Sequence, residues 1–268
     1  MILISVLENL AVDTWERLRD SRALEINFGE ETITDLLLMD LKRKRPSTSR
    51  IIQTPKTKEK DKGTDWEWWI GSDRTSWIRF AVQAKKLHID SGRYNGLSHK
   101  VGSTLQIDLL ERYASANDAV PLYCFYNYVN PSSATMAWRC CQTQVNEPQL
   151  ACTITPLKIV RAAIAVRGKK SFSSIHSHPE TLPWRCLVGC TRFKQVYTLD
   201  QNPAIPDKLV ESIFGKDIRR YDRLPAEVQA GRISGKMDRF SPGFYNDNVR
   251  LFPRRVFVLE FDPDMEIG

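Results

Sequence analysis

The sequence predicts an α/β fold with a central mixed sheet flanked by helices. Three observations carry that expectation: two segments with helical spacing of apolar residues, a pair of aromatic-rich segments split by a short turn, and one almost wholly apolar run of strand length. Along residues 25–130 they alternate as helix, strand, hairpin, helix, strand.

Residues 13–24 are polar with spaced apolar positions and read as a helix. Residues 29–41 (GEETITDLLLMDL) space Ile33, Leu36, Leu37 and Leu41 as a helix does, with Glu30 and Glu31 in the first turn, where the helix dipole favours acids. Pro46 and the Ser/Thr residues after it stop that helix. Residues 50–54 form a short strand. Residues 65–70 (DWEWWI) and 77–85 (WIRFAVQAK) are strands joined by a hairpin through Gly-Ser-Asp-Arg. Residues 103–116 read as a helix capped by Ser103 or Thr104, and 121–128 (PLYCFYNY) as a buried strand. Farther on, 156–166 and 207–214 have helical character, 255–261 (RVFVLEF) is strand-like, and 171–190 is irregular. The expected organisation is an α/β core over 1–130 and an α+β extension over 131–268, either packed on the core as one domain or separate from it.

Composition bounds the function class. Hydrophobic residues make up 42% and charged residues 26% of 268, so the chain can bury a core. No apolar run approaches the roughly 18 residues a membrane span needs. The N-terminus lacks the basic start of a signal peptide. Without a secretion signal the six cysteines are expected to be free thiols, and the expected compartment is the cytoplasm. The net charge of +7 is concentrated in residues 42–62. Nine cations (Lys42, Arg43, Lys44, Arg45, Arg50, Lys56, Lys58, Lys60, Lys62) there face two acids, Glu59 and Asp61. Such a cluster is either a solvated loop edge or a phosphate-backbone contact.

One constellation carries chemistry. Asp65 opens the first hairpin strand, and Gln83-Ala84-Lys85 ends the second. Pairing brings the two ends together, with Gln83 and Lys85 on one face because strand side chains alternate. Asp65 offers a carboxylate, Gln83 an amide oxygen and Ala84 a carbonyl to a hard cation such as Mg²⁺ or Mn²⁺. Lys85 can polarise water or hold a phosphate, and Glu30 or Glu31 can restore the negative charge that a neutral Gln lacks. Glu30 shares a helix face with Ile33, Leu37 and Leu41; Glu31 shares one with Thr34 and Asp35. Gln106 falls on the same helix face as Leu109, Leu110 and Tyr113.

Gly63-x-Asp65, Gln83-x-Lys85 and a following helix with Gln106 resemble the PD-(D/E)XK nuclease superfamily, closest to the Mrr-like restriction endonucleases in which Gln replaces Glu. The resemblance covers residues 28–128. It implies a restriction-endonuclease-like fold, divalent-metal dependence and cleavage of DNA, in defence against foreign DNA, by an enzyme that often acts as a homodimer. It also implies roles: Asp65, Gln83, the Ala84 carbonyl and Glu31 at the metal; Glu30 or Glu31 as the helix acid; Lys85 and Gln106 in catalysis. By its charge, the basic cluster of Lys42, Arg43, Lys44, Arg45, Arg50, Lys56 and Lys58 is the expected nucleic-acid contact. The run GxDWxWW…QAK is similar to an uncharacterised bacterial family with the same elements. A non-catalytic nucleic-acid-binding or interaction module on this fold is the alternative.

A second motif, His176-Ser-His178-Pro, resembles the core of JAMM-type metalloproteases, but Cys186 and Gly189 stand where that family has Ser and its Asp ligand. The peptidase reading therefore falls. A zinc-stabilised scaffold held by His176, His178, Cys186 and Cys190 has non-standard spacing, and a polar loop with two thiols is the plainer reading. Trp66, Trp68, Trp69 and Trp77 suit core packing first and base stacking second.

Overall fold

A computed structural model describes residues 3–44, 47–53, 63–140, 144–166, 168–188, 215, 218–226, 228–229 and 255–260. The segment 207–214, read from sequence as a helix, lies outside them, as do Arg45, Lys56, Lys58 and Cys190.

The helix α1 (Leu3–Ala23) starts ten residues before the expected 13. Leu3, Val6, Leu7, Leu10 and Ala11 continue the apolar stripe of Trp15 and Leu18, and all are buried. The helix α2 (Glu30–Lys44) runs one turn past the expected end, with Lys42, Arg43 and Lys44 at the C-terminal pole of its dipole. The strands β1 (Ser49–Gln53), β2 (Trp66–Ser72) and β3 (Ser76–Lys86) follow the expected hairpin. Its turn needs Gly71 at φ +144°, since a Cβ there would stand 2.1 Å from the Ser76 carbonyl oxygen. A short hairpin, β4 (Lys100–Val101) with β5 (Thr104–Leu105), precedes α3 (Gln106–Ala116). Thr104 pairs with Val101 in that hairpin, so neither Ser103 nor Thr104 caps α3; the helix begins at Gln106, whose N–H is satisfied by the His99 carbonyl at 2.9 Å.

Next come β6 (Val120–Tyr126), α4 (Pro131–Ala137), β7 (Cys152–Pro156), α5 (Leu157–Ala165), α6 (Phe172–His176), β8 (Leu182–Pro183), β9 (Arg220–Tyr221) and β10 (Arg255–Glu260). The stretch 171–190, read as irregular, thus contains α6, β8 and a 3-10 turn at Trp184–Leu187.

The sheet is mixed, in the order β1-β10-β2-β3-β6-β7-β8, with β9 beside the start of β3. The β3–β6 and β10–β2 pairs are parallel and the others antiparallel. The strand β10 inserts between β1 and β2, so strands from both sides of residue 130 share one sheet. Helices cover both faces. Trp66, Trp68, Ile78, Phe80 and Val82 meet α1 and α2 on one side, while Ala81, Tyr123 and Phe125 meet α3, α5 and α6 on the other. With both faces covered, β2 is buried throughout instead of alternating. The four tryptophans Trp66, Trp68, Trp69 and Trp77 are buried, which corrects the base-stacking alternative. Among the described residues no helix is long and apolar enough to cross a membrane.

Candidate active site

The site lies where β3 and β6 end and β2 begins. Because β2 starts at Trp66, opposite Val82, the end of β3 projects beyond it. The Asp65 N–H still donates to the Val82 carbonyl at 2.8 Å. Two residues farther, the Ala84 N–H turns to the Asp65 carboxylate, donating to Oδ2 at 2.7 Å. The Gln83 amide Nε2 donates to the same oxygen at 2.5 Å and to the Ala84 carbonyl at 3.1 Å. Asp65, Gln83 and Ala84 thus meet as the hairpin arithmetic expects. The chain reaches Asp65 through Gly63, at φ +64°, where a Cβ would stand 2.5 Å from Leu109 Cβ and 2.8 Å from the Gln106 carbonyl oxygen. Glycine is required for that left-handed, close approach to α3.

Lys85 follows on the same strand face as Gln83, opposite Phe125 of β6. Its side chain is 7% exposed and ends 3.7 Å from Glu30 Oε2, on a carboxylate 36% exposed. The other Glu30 oxygen accepts from the Lys86 N–H at 2.9 Å. Lys86 in turn ties down the chain before α2, its Nζ donating to Asn27 Oδ1 at 2.7 Å and to the Phe28 carbonyl at 2.6 Å. Burial lowers the Lys86 ammonium from its ordinary range, against the pull of Glu30. So Glu30 reaches Lys85, whereas Glu31 is exposed on the next helix position. Asp35, beyond it, pairs with the buried Arg255 of β10 at 2.6 Å.

Gln106 is the first residue of α3 and half-buried; the buried stripe of that helix is Ile107, Leu110, Tyr113 and Ala114. Leu110 and Tyr113 lie four and seven residues on from Gln106, one and two turns along the same helix face. The Gln106 carbonyl abuts Gly63, and its side-chain Oε1 has no hydrogen-bond partner among the described residues. The same holds for Gln83 Oε1 and the Tyr123 hydroxyl. Tyr123 stands opposite Gln83 on β6. Burial first, and the Asp65 carboxylate second, push its hydroxyl well up. Sequence reasoning missed Tyr123 and Lys86, although parallel pairing of β3 with 121–128 would have placed Tyr123 beside Gln83.

The cations of 42–50 are partly committed inside the fold. Lys42 donates to the Ser49 carbonyl at 2.8 Å, Lys44 lies 2.9 Å from Asp13, and Arg43 lies 3.4 Å from Asp40. Arg50 is half-buried on β1.

The zinc arrangement is not assembled by its described members. His176 is fully buried, with Nε2 2.9 Å from the Thr153 hydroxyl and Nδ1 3.0 Å from the Phe172 carbonyl, so both ring nitrogens are taken. Burial pushes it down to about 3. His178 is exposed, and the Cys186 sulfur lies 3.7 Å from that of Cys140. Among the described residues no group of three or more His, Cys, Asp and Glu side chains could hold a metal ion.

No curated protein and no solved structure matches the chain. Family of unknown function DUF6615 matches residues 3–261, nearly the whole length, and the chain belongs to that family.

Proposed function

We propose that the chain is a divalent-metal-dependent endonuclease that hydrolyses DNA phosphodiester bonds through a Gln variant of the PD-(D/E)XK site. One observation carries the reading: Asp65, Gln83, the Ala84 backbone, Lys85 and Glu30 converge at the end of β3. The Asp65 carboxylate, the Gln83 amide oxygen and the Ala84 carbonyl would hold Mg²⁺ or Mn²⁺, an all-oxygen set that suits a hard cation. The fit rests on Gln83 Oε1, a buried acceptor without a hydrogen-bond partner among the described residues, which is costly to keep unless a ligand engages it. With Glu30 at Lys85, Asp65 would be the carboxylate that holds the ion. The ion, when bound, acidifies an attacking water and draws charge from the phosphate. Lys85, aimed by Glu30, stabilises charge that develops on the phosphate oxygens in the transition state. A part in defence against foreign DNA follows from the family resemblance alone.

A non-catalytic nucleic-acid-binding module is the second reading, and one observation favours it. Gln83 turns its amide nitrogen to Asp65, and Lys85 meets Glu30, so the cluster is internally paired as it stands. A cleavage assay separates the two. Plasmid, single-stranded DNA and RNA are incubated with Mg²⁺ or Mn²⁺, or with EDTA, for wild type, Asp65→Ala and Lys85→Ala, each checked for folding by circular dichroism. Metal-dependent cleavage lost in both variants is the expected result. Absence of cleavage on every substrate moves the assignment to the binding module, and cleavage that survives both substitutions overturns the site.

A further inference from the structure

A second group of cations, apart in sequence from 42–62, lies next to the candidate site. Residues 91–107 and 168–179 contain no acid between them, and they carry Arg93, Lys100, Lys169 and Lys170 among serines and glycines. The fold laces the two segments together. The Tyr94 N–H donates to the Lys170 carbonyl and the Phe172 N–H to the Gly92 carbonyl, each at 2.9 Å. Lys170 Nζ donates to Ser98 Oγ at 3.0 Å. The resulting wall ends against the catalytic candidates. A Cβ on Gly96 would stand 3.4 Å from Lys85 Cδ and 3.6 Å from its Nζ, and the His99 carbonyl holds the Gln106 N–H. His99, Lys100, Gly102, Ser103 and Lys169 are exposed. The acids at the margin are paired with cations: Asp90 with Arg22 at 3.7 Å, Asp108 and Glu111 with Arg161 at 2.7 Å each, and Glu180 with Lys158. The acids at the margin of the wall are thus engaged by other cations, Arg22, Arg161 and Lys158, and leave Lys100 and Lys169 to face solvent.

We infer that this wall, built by the 91–107 and 168–179 segments, is where the phosphate backbone of the DNA lies as a phosphodiester reaches Lys85. The inference rests on the nuclease reading. Lys100 and Lys169, exposed on the wall, take phosphates, and the exposed Gly102-Ser103 turn offers backbone and hydroxyl donors beside them. A polyanion gains affinity there by releasing counterions, whatever its sequence.

The test is fluorescence anisotropy with labelled 30-mer probes, duplex and single-stranded DNA and RNA of one sequence, in EDTA so that nothing is cut. The variants are Lys100→Ala/Lys169→Ala, the charge-preserving Lys100→Arg/Lys169→Arg, and Arg43→Ala/Lys44→Ala as a comparison of equal charge. The alanine wall variant is expected to bind DNA at least about tenfold more weakly at 100 mM salt, with a salt slope smaller by about 2. The arginine variant and the 43/44 variant are expected to stay within about twofold of wild type. Wild-type affinity in the alanine wall variant, or the loss falling on the 43/44 variant instead, overturns the surface. No wild-type binding to any probe overturns it too, and the parallel Mg²⁺ cleavage assay shows whether the nuclease reading falls with it. Preferred binding of the RNA probe reassigns the backbone that the wall receives.

Discussion

Two acidic groups on the β2–β3 hairpin have opposite fates. Asp65 lies at the open end, where β3 outruns β2, within reach of solvent. Glu67, two positions along the same face, is 0% exposed and inside the sheet. Its Oε1 accepts from Arg79 Nε at 2.9 Å, Arg79 Nη2 at 2.6 Å and the Tyr113 hydroxyl at 2.7 Å. Arg79 also donates to the Asn117 carbonyl and stacks over Trp69. Burial raises the Glu67 carboxyl against the pull of Arg79. Both clusters join an acid, a cation and polar neighbours. Access is what differs: nothing in solution can reach Glu67, so its network bears on folding, whereas Asp65 is half-buried where the strands stop, with the buried Gln83 and Lys85 behind it. A buried charge in a sheet is evidence of a site only where the sheet ends.

Substitutions can break or sharpen that contrast. Arg79→Ala strands Glu67 without its counter-charge, and about 3–5 kcal/mol of stability should disappear in urea unfolding. Adding Glu67→Gln should restore much of it. Full loss of stability at Asp65 and little at Arg79 would invert the comparison. Asp65→Ala should cost less, about 1–2 kcal/mol, because the Gln83 amide and the Ala84 N–H lose one shared acceptor, while cleavage drops to background.

His176 gives a third measurement, away from both clusters. Its native value of about 3 lies below the ~6.5 of an unfolded histidine. The unfolded chain therefore binds a proton that the native chain refuses. Stability should fall as pH drops from ~6.5 toward 3, by about 1.4 kcal/mol per pH unit. Unfolding curves of His176→Gln across that range should lack this slope, and an unchanged slope would show that the ring is charged in the fold. The smallest effects separate the two glutamates. Glu30→Gln should lower cleavage about tenfold by loosening Lys85, and Glu31→Gln should change activity less than twofold and stability by less than about 0.5 kcal/mol.

The hairpin was legible because DWEWW and WIRFAVQAK carry their own turn and fix their own register, and that register alone brings Asp65 to Gln83. Glu67 and Arg79 were not legible. A charge between tryptophans reads as the solvent face of a half-buried strand, and nothing local tells that α3 covers it. The early start of α1 was obscured by Glu8, which in the fold reaches the buried Arg185 of the turn at 184–187. The choice of Glu30 over Glu31 depends on how α2 sits against the end of β3, a tertiary fact. The place of β10 between β1 and β2 depends on pairing across most of the chain, for which no local pattern exists.

That insertion also sets a timetable. A chain leaving the ribosome presents β1 and β2 long before Arg255 emerges, about 10–40 s later at ~5–20 residues per second. Until then β1 and β2 each lack the neighbour that joins them, and two strand edges stand open to wrong partners. The nascent protein should need protection through most of its synthesis, and ribosome-bound chains stalled before Arg255 should be cut by protease around β1 and β2, where released full-length chains are not.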